Sequence, residues 1–507
     1  MTNTEVTKSG DEHAFQGEAN AIPPSLTPWW RIADLAVFVL WMTLVGIVMR
    51  NHKPWADESQ AWLIARDLDM KAIWFHELRY EGTPGLWHTI LWIAQHWFHA
   101  PYAAMGWIGM ICAAAGVAFV LWKAPFPRPL RYLLVFTYFM AYQYAVVARS
   151  YNLLAVLVFA AAYFYRDREH PGRMTVVLIL LANVAVHGAA ISAALGLCYL
   201  IEAIREWPRL NESTRGRYVL CIAAMLLTFV FLFFILKPTP DMLEFVANKN
   251  PIQFHRTTAS ALTKLLAVIS GAFLDYTAVS VLFLLLAAGW CFMRRKLLPF
   301  ALPVAVMLLL YVNIHGLVHH HGTVFLAAIA GLWIAWPTPE EMRVSSRMVR
   351  QATFGMIGML VCLFAVNIWD TAFCMQMDYR YPYSGSADAA AYLRTIGADK
   401  STIFGYTYEM SSLQAYFDHN ILANIPTTYY HEGFPLYGFQ VDLAELQAVR
   451  PQYVVIMTGS PGRDLGAVNP ALNEVGYHAI HVSDGYMFFK RSLFERQMFI
   501  VYAREAY

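Results

Sequence analysis

Long apolar runs separated by short polar connections constrain the fold of this chain more than any other feature. A helix needs roughly 17 to 25 apolar residues to cross the hydrocarbon core of a bilayer. Only 14% of the residues are charged and the mean hydropathy is +0.42, whereas about a quarter of the residues are charged in a soluble globular domain. The sequence therefore predicts a polytopic membrane protein, with candidate segments at 32–49, 85–99, 102–122, 131–147, 150–165, 174–187, 189–205, 217–236, 277–293, 298–312, 322–336 and 352–373.

Basic clusters divide these segments into pairs. The clusters begin at Lys123, Arg166, Arg205, Arg294 and Arg343. Because Lys and Arg are enriched in cytoplasmic loops, this spacing predicts that all of these connections lie on the cytoplasmic side. Parity then requires one segment to be a tilted or re-entrant element rather than a span, and the short, histidine-interrupted segment 85–99 is the best candidate. We expect about 11 to 13 spans, with 11 preferred.

From about residue 374 the pattern changes to that of a small α/β domain. SADAAAYLRTIG and DLAELQAVR have helical periodicity, whereas STIFGY, QYVVIM and YHAIHV are typical of strands. The predicted fold class is an all-α polytopic membrane bundle with amphipathic outer-loop helices and a small C-terminal α/β extracytoplasmic domain. The expected divisions are a cytoplasmic tail at 1–30, a transmembrane domain at 31–373 with an outer loop at 50–84, and the extracytoplasmic domain at 374–507.

The stretch PWADESQAW places Asp57 and Glu58 side by side just after the first apolar segment. Asp57, with Gln60 three residues later, has the spacing of a capping box, and acids favour helix N-termini. Apolar residues then recur at intervals of three and four, which predicts a helix lying flat on the membrane with Asp57 at its start. A carboxylate in that position can also act as a general base toward a hydroxyl, and the two interpretations are compatible.

Glu81 and Arg149 are candidate site residues on the same outer face. Glu81 precedes the Gly-Thr-Pro-Gly turn of RYEGTPGLWH, which would fix where its carboxylate points; the alternative is an ordinary loop acid. Arg149, in ARSY, lies at the outer end of two apolar segments, where a charged group usually has a partner or a function. Its planar fork suits a phosphate, and otherwise it would reach toward lipid headgroups.

NIHGLVHHHG, at 313–322, brings several histidines to the outer face. His315 and His319 have the i, i+4 spacing of a helical ligand pair, but no third ligand follows at a recognised spacing, so no metal site is predicted. His319 and His320 are candidates for phosphate contacts, with capping of a helix end as the alternative.

The outer loop 237–276 adds Arg256 and Lys264, which either bind substrate or are attracted to anionic headgroups. The sequence has no glycine-rich phosphate loop, no G-x-S-x-G motif and no Cys-His nucleophile arrangement. A nucleotide-linked sugar would therefore have no binding domain, whereas a donor dissolved in the bilayer needs none. The net charge of +2 is too small to indicate a nucleic-acid partner.

Taken together, these motifs resemble the C-type (GT-C superfamily) integral membrane glycosyltransferases, and within them the protein O-mannosyltransferase and aminoarabinose transferase group. The resemblance rests on WADESQAWLIARD, RYEGTPGLWH, ARSY and the late histidine-bearing loop, and covers about residues 30–373. It implies a glycosyltransferase-like domain at 31–373 with a catalytic outer loop at 50–84. Asp57 is the matching active-site acid and Glu58 its neighbour. Ser-Tyr-Asn follows Arg149 where the family often has an acid, and Glu81 is the candidate for that role.

The resemblance implies transfer of a sugar, with inversion, from a polyprenyl-phosphate-linked donor to an acceptor hydroxyl at the outer membrane face. No metal or other cofactor is expected to be obligatory, because cationic side chains can hold the leaving phosphate. The expected partners are membrane lipids, the lipid-linked sugar, and a glycan, lipid or protein acceptor. The expected location is a bacterial inner membrane, with the N-terminus cytoplasmic and the C-terminal domain periplasmic. The expected catalytic residues are Asp57, Glu58 and Glu81, and the expected donor-binding residues are Arg149, His319, His320, Arg256 and Lys264.

Other functions stay open at this point. A flippase or transporter for a lipid-linked sugar usually carries ionisable residues near mid-membrane, but Asp34, Glu202, Asp275 and Asp370 lie near segment ends. A glycan polymerase or ligase would use a pyrophosphate-linked donor and need more basic groups or a metal. A non-catalytic partner would bind glycan through the outer domain. Asp57→Asn separates these classes, because only a transferase with a carboxylate base should lose turnover.

Overall fold

The computed structural model describes residues 29–240, 261–313, 318–430, 441–459 and 461–505. Two residues singled out above, Arg256 and His315, lie outside these ranges. The helices of the membrane part are Trp29–Asn51, Ala104–Lys123, Arg128–Val135, Leu154–Phe164, Pro171–Ala182, Val186–Glu206, Glu212–Leu236, Ala261–Ala272, Thr277–Met293, Leu297–Asn313, Gly322–Ala335 and Arg347–Arg380.

The described helices confirm an integral membrane protein. Six are long and apolar enough to cross a membrane, or up to seven if Ala261–Ala272 and Thr277–Met293, which are bent by 79°, form one span. Shorter apolar helices lie among them. The predicted segment 131–147 is not one helix: a helix ends at Val135 and a separate π-helical turn covers Phe139–Gln143. A continuous apolar run thus overestimates helix length here, because hydropathy does not register a break in the backbone.

The segment 85–99 forms the 13-residue helix Leu86–Phe98. Trp92 Nε1 donates to the carbonyl of Leu68 at 3.2 Å, and Gln95 Nε2 donates to that of Trp62 at 3.1 Å. The polar residues that interrupt the segment therefore attach this helix to the outer loop. Its shortness agrees with the tilted or re-entrant element expected from parity.

The outer loop contains the helix Ala56–Asp67, called here the outer-loop helix, followed by short helical turns at Met70–Ala72, Ile73–Glu77 and Leu78–Glu81. Residues 58–65 of the outer-loop helix are all buried. The C-terminal domain covers it, since Ser411 Oγ donates to the carbonyl of Ala56 at 3.4 Å and Gln60 Nε2 donates to that of Tyr430 at 2.6 Å. Its middle is thus enclosed by protein, whereas Asp67 at its end stays exposed; the orientation of this helix along the membrane stays a prediction.

The predicted C-terminal α/β domain is present. Its strands are β1 (Ile403–Tyr406), β2 (Tyr453–Thr458), β3 (Tyr477–Ser483), β4 (Tyr486–Phe489), β5 (Ser492–Arg496) and β6 (Met498–Arg504). The main sheet has the order β1-β2-β6-β3, in which β1 and β2 are parallel and the other pairs antiparallel, and β4 and β5 form a hairpin. Its helices are Ser386–Thr395, Met410–Gln414, Leu443–Val449 and Pro461–Glu474.

Successive side chains of β2 point to opposite faces of the sheet and pack on both of them. Val455 packs with Leu393 in one buried cluster, whereas Val454 packs with Leu446 and Leu472 in another. This is the two-residue period expected of a strand that is covered on both faces. Strand β6 and the helix Pro461–Glu474 were missed by the sequence analysis, although β6 pairs with both of its neighbours at the centre of the sheet.

Ion pairs attach the C-terminal domain to the membrane helices. At the turn between β4 and β5, Lys490 Nζ lies 2.6 Å from Asp275 Oδ1, and Arg491 Nε lies 2.8 Å from Asp370 Oδ1. Cys374 Sγ, on the helix Arg347–Arg380, contacts the carbonyl of Lys490 at 2.8 Å. Two of the acids at segment ends, Asp275 and Asp370, thus join the membrane helices to the C-terminal domain.

Candidate active site

A polar cavity of about 240 Å³ lies where the outer loop meets the ends of several membrane helices. The outer-loop helix forms one side, and the start of the helix Leu86–Phe98 forms another. The remaining wall comes from the ARSY turn, the start of the helix Val186–Glu206 and the late histidine segment. The lining residues are Asp57, Ala61, Glu81, Gly82, Thr83, Trp87, His88, Arg149, Ser150, Tyr151, Ala185, Val186, His187 and His320.

Asp57, Arg149 and His319 are brought together although they are far apart in the sequence. Arg149 Nη1 lies 2.9 Å from Asp57 Oδ2 and donates to His319 Nε2 at 2.8 Å. Because an arginine cannot accept, His319 uses Nε2 as an acceptor and carries its proton on Nδ1. The side chains of Asp57 and Arg149 are each about one-fifth exposed. One guanidinium therefore joins the predicted acid to the predicted histidine at the edge of the cavity.

The surroundings of Asp57 make its carboxylate a stronger base than usual. Burial raises the pKa of Asp57, the charge of Glu58 raises it further, and the positive charge of Arg149 opposes both. Burial acts to lower the pKa of Arg149, but the charge of Asp57 and smaller effects of Tyr151 and Glu58 together raise it. A carboxylate with a raised pKa binds a proton more strongly, which favours its action as a general base.

Glu58 has a different environment from its neighbour. The outer-loop helix begins at Ala56, so Trp55 is the N-cap residue and Glu58, rather than Asp57, occupies the third helical position. Glu58 Oε2 accepts from the backbone N–H of Trp55 at 3.1 Å, and Oε1 accepts from that of Ala148 at 2.6 Å. Its side chain is 0% exposed and is not part of the cavity wall. The capping role predicted for Asp57 thus belongs to Glu58.

His52 connects Glu58 to the end of the long helix Arg347–Arg380. His52 Nε2 lies 3.0 Å from Glu58 Oε2, and Nδ1 lies 2.7 Å from Asp378 Oδ2. Burial acts to lower the pKa of His52, but the two carboxylates raise it to about 10. Tyr142 Oη donates a further hydrogen bond to Asp378 Oδ2 at 3.2 Å. This buried chain of hydrogen bonds was not predicted, because no local spacing links residues 52 and 378.

Glu81 lies on the cavity wall, held through the outer-loop helix. Gln60 Nε2 donates to Glu81 Oε1 at 2.9 Å, and the same amide bonds the backbone of Tyr430 in the C-terminal domain. Gly82, in the left-handed region at φ 60°, ends the short helix that carries Glu81. Because a side chain is strained in that region, glycine suits the turn.

His320 also lines the cavity, beside two residues that the sequence did not assign. Its ring lies 4.8 Å from that of His187, and Tyr151 Oη lies 3.1 Å from His187 Nδ1. Lys264 is on the helix Ala261–Ala272 and is not a lining residue. The structure therefore places Asp57, Glu81, Arg149 and His320 on the cavity wall, with His319 directly behind Arg149. Within the described ranges, no group of three or more His, Cys, Asp or Glu side chains is arranged to hold a metal ion.

Comparison with solved structures identifies a similar fold. ArnT from Cupriavidus metallidurans in the apo state aligns with a TM-score of 0.56 over 93% of this chain and 98% of its own, at 13% identity. The same protein bound to undecaprenyl phosphate aligns with a TM-score of 0.46, at 13% identity, over 95% of this chain and 99% of its own. No family model and no curated protein matches the sequence. The apo structure confirms the resemblance at the level of the fold, across both the membrane helices and the C-terminal domain.

Proposed function

We propose that this integral membrane protein is a glycosyltransferase that moves a sugar from a polyprenyl-phosphate-linked donor to an acceptor hydroxyl. The observation that carries the proposal is the contact of Asp57 and Arg149 at the wall of a polar cavity. Sugar transfer from a lipid phosphate needs a base for the acceptor and a cation for the leaving group. Both groups are present there, a few ångströms apart.

Asp57 is the proposed base. Its carboxylate takes the proton of the acceptor hydroxyl as the hydroxyl oxygen forms a bond to the anomeric carbon. The bond between that carbon and the phosphate oxygen breaks, and the phosphate leaves with the electron pair. Attack opposite the leaving group inverts the anomeric centre. The proton ends on Asp57, so atoms and charges balance without any further reactant.

Arg149 is the proposed holder of the leaving phosphate. Its guanidinium spreads its donors over a fork that matches phosphate oxygens. Asp57 and His319 already contact one of its nitrogens, which fixes the plane of the group before substrate arrives. His320, also on the wall, is positioned to add a donor. Arg256 and Lys264 stay predictions as donor-binding residues.

Glu58 and Glu81 have separate proposed roles. Glu58 holds the backbone on both sides of the ion pair, because it bonds Trp55 and Ala148. It is therefore proposed as a positioning residue rather than as a group that touches substrate. Glu81 faces the cavity and is proposed to orient the hydroxyls of a bound sugar or acceptor.

The proposal is tested by measuring release of polyprenyl phosphate. Purified protein is incubated with radiolabelled undecaprenyl-phosphate-linked sugars and candidate acceptors, and the freed lipid phosphate is separated from its donor. Release by the native protein, but not by Asp57→Asn, supports a transferase. Movement of the intact donor across a vesicle membrane without release would instead indicate a flippase. Release of a pyrophosphate rather than a monophosphate lipid would indicate a polymerase or ligase.

We further propose that the reaction has no obligatory metal and takes place on the periplasmic side of a bacterial inner membrane. Arg149, which lines the cavity, is proposed to hold the leaving phosphate monoester in place of a metal. Release that continues undiminished after treatment with a chelator and buffer exchange supports the first point. Protease accessibility of the C-terminal domain in spheroplasts, compared with inverted vesicles, tests the second.

A further inference from the structure

One wall of the cavity carries buried polar atoms with no hydrogen-bond partner among the described residues. They are Nδ1 and Nε2 of His88 and Nε1 of Trp87. Both side chains are only 2% exposed, and both residues line the cavity. They are neighbours at the start of the helix Leu86–Phe98, on the wall formed with Glu81 rather than with the membrane helices.

Beside a polar cavity, such atoms can be satisfied by water or by a ligand. More than about nine in ten buried polar groups in proteins have a hydrogen-bond partner, and one left without a partner costs on the order of 1–3 kcal/mol. His88 has two such atoms on one ring. The cavity next to it is large enough to hold water when the site is empty, and a polar ligand entering the cavity would replace that water.

The charge of the wall restricts what the ligand can be. Burial lowers the pKa of His88 to about 4, so its ring is neutral near pH 7. A neutral imidazole presents one donor and one acceptor. A phosphate dianion could only accept and an ammonium group could only donate, so each would leave one ring nitrogen unpaired. Hydroxyl groups donate and accept, and therefore match both nitrogens.

The neighbouring side chains fit the same ligand. The indole N–H of Trp87 adds a donor, and the Glu81 carboxylate adds an acceptor held in place by Gln60. Arg149 lies on the same cavity and supplies the only arginine or lysine among its lining residues. The phosphate end of a donor and the uncharged end would thus be bound by different walls of the cavity.

We infer that His88, Trp87 and Glu81 form the sugar-binding part of the cavity, and that they select a neutral, polyhydroxylated sugar over an acidic one. This inference rests on the proposed function and deepens it, because it names the class of group that is transferred.

Binding of lipids with and without a sugar tests the inference. The probes are undecaprenyl phosphate alone and undecaprenyl phosphate linked to a neutral hexose or to a uronic acid, titrated into purified protein in detergent. The native protein should bind the neutral hexose lipid at least ~10-fold more tightly than the bare lipid, since each hydrogen bond gained is worth up to about tenfold. His88→Leu should remove most of this preference and leave affinity for the bare lipid unchanged.

Matched variants separate recognition from folding. His88→Gln keeps a donor and an acceptor and should retain part of the preference, and Trp87→Phe removes one donor and should reduce it less than His88→Leu. His96→Leu, an exposed histidine on the same helix, should change nothing. Thermal unfolding of each variant checks that the fold is intact.

Several outcomes would overturn the inference. One is a His88→Leu protein that keeps the full preference, and another is a variant that loses affinity for both lipids equally. A native protein that prefers the uronic acid would overturn the sugar class, whereas Asp57-dependent release would still support a transferase. If neither lipid binds and no lipid phosphate is released, the proposed function fails together with the inference.

Discussion

Asp57 and Glu58 are adjacent in the sequence but have opposite surroundings. Successive residues of a helix point about 100° apart, so Asp57 faces the cavity and Glu58 faces the protein interior. Asp57 is partly exposed and has one arginine partner, whereas Glu58 is fully buried and bonds Trp55, Ala148 and His52. The comparison teaches that paired acids in a motif need not share an environment: one lines the cavity and the other holds backbone in the interior.

Glu58 nevertheless helps to fix the position of Asp57. Glu58 follows Asp57 directly, and its Oε1 holds the backbone N–H of Ala148, which directly precedes Arg149. One buried carboxylate thus fixes the chain next to both members of the ion pair. Substitutions at the two acids should therefore fail in different ways, and that difference can be measured.

The largest effect is expected from Asp57→Asn. The amide keeps the size of the side chain but cannot take a proton, and a general base typically contributes about 10²–10⁴-fold. We expect turnover to fall by that factor while the unfolding temperature stays close to native. Lipid phosphate release and thermal unfolding in detergent are the measurements. Near-native turnover would exclude Asp57 as the base.

Glu58→Gln is expected to act on stability first. Removing one partner of a buried ion pair costs about 3–5 kcal/mol, because the other charge is left unpaired. We expect a lower unfolding temperature, with activity lost in proportion to the unfolded fraction. The double variant His52→Gln with Glu58→Gln should recover part of the loss. A stable, inactive Glu58→Gln protein would instead assign Glu58 a direct catalytic role.

Arg149→Lys tests the cationic partner of Asp57. Lysine keeps the charge but lacks the planar fork that can donate to two phosphate oxygens at once. Removal of one preorganised charge-stabilising donor costs about 10²–10³-fold in rate, and we expect a loss in this range, with folding retained. Arg128→Lys, at an exposed arginine outside the cavity, is the control. An equal loss in both variants would point to a general effect of arginine on the membrane fold.

The buried chain of hydrogen bonds through His52 predicts a dependence of stability on alkaline pH. His52 has a pKa of about 10 in the folded protein against 6.5 for the free side chain. A raised histidine pKa stabilises the fold fully below 6.5, and this contribution is lost as the pH rises through about 10. Unfolding temperatures measured from pH 6 to 10 should decline in the native protein. His52→Gln should flatten that part of the decline, and a native-like slope in this variant would contradict the assignment.

The smallest expected effect is a shift of the acid limb of activity. Asp57 must be deprotonated to act as a base, and its pKa is raised above the ordinary value of 3.8. Activity should therefore fall at a higher pH than an exposed aspartate would allow. A rate profile from pH 4 to 8, with unfolding followed in parallel, measures this limb. A limb at or below 3.8 would indicate that Asp57 is not the group being titrated.

Local patterns predicted the parts of the site that depend on position relative to a helix end or membrane surface. Asp57, Glu81, Arg149 and His320 reached the cavity from four separate motifs because charge spacing placed all of them on one face. Helix capping was assigned to the wrong acid, because a boundary error of one residue changes which side chain occupies the third helical position. His52 and Asp378 could not be paired, since nothing in either local pattern records a contact across more than 300 residues.

In the fold, too, elements with a clear local pattern were predicted and elements set by distant contacts were not. The change in composition near residue 374 predicted the C-terminal domain and several of its elements, which have clear local periods. The central strand β6 was missed, because MFIVYAR lies close behind other strand-like runs and its place in the order is set by pairing. No local pattern indicated that His88 and Trp87 bind a ligand. Their unpartnered ring nitrogens become relevant only because the structure places both residues beside the cavity.

The helix Arg347–Arg380 has 34 residues, so it is roughly 50 Å long and exceeds the ~30 Å hydrocarbon core by several turns. Several of its turns must therefore extend beyond the hydrocarbon core. Asp378, near its end, pairs with His52, and Cys374, one turn earlier, contacts the carbonyl of Lys490 in the C-terminal domain. The C-terminal domain is thus fastened to one continuous helix, so that a tilt of this helix would carry the domain with it.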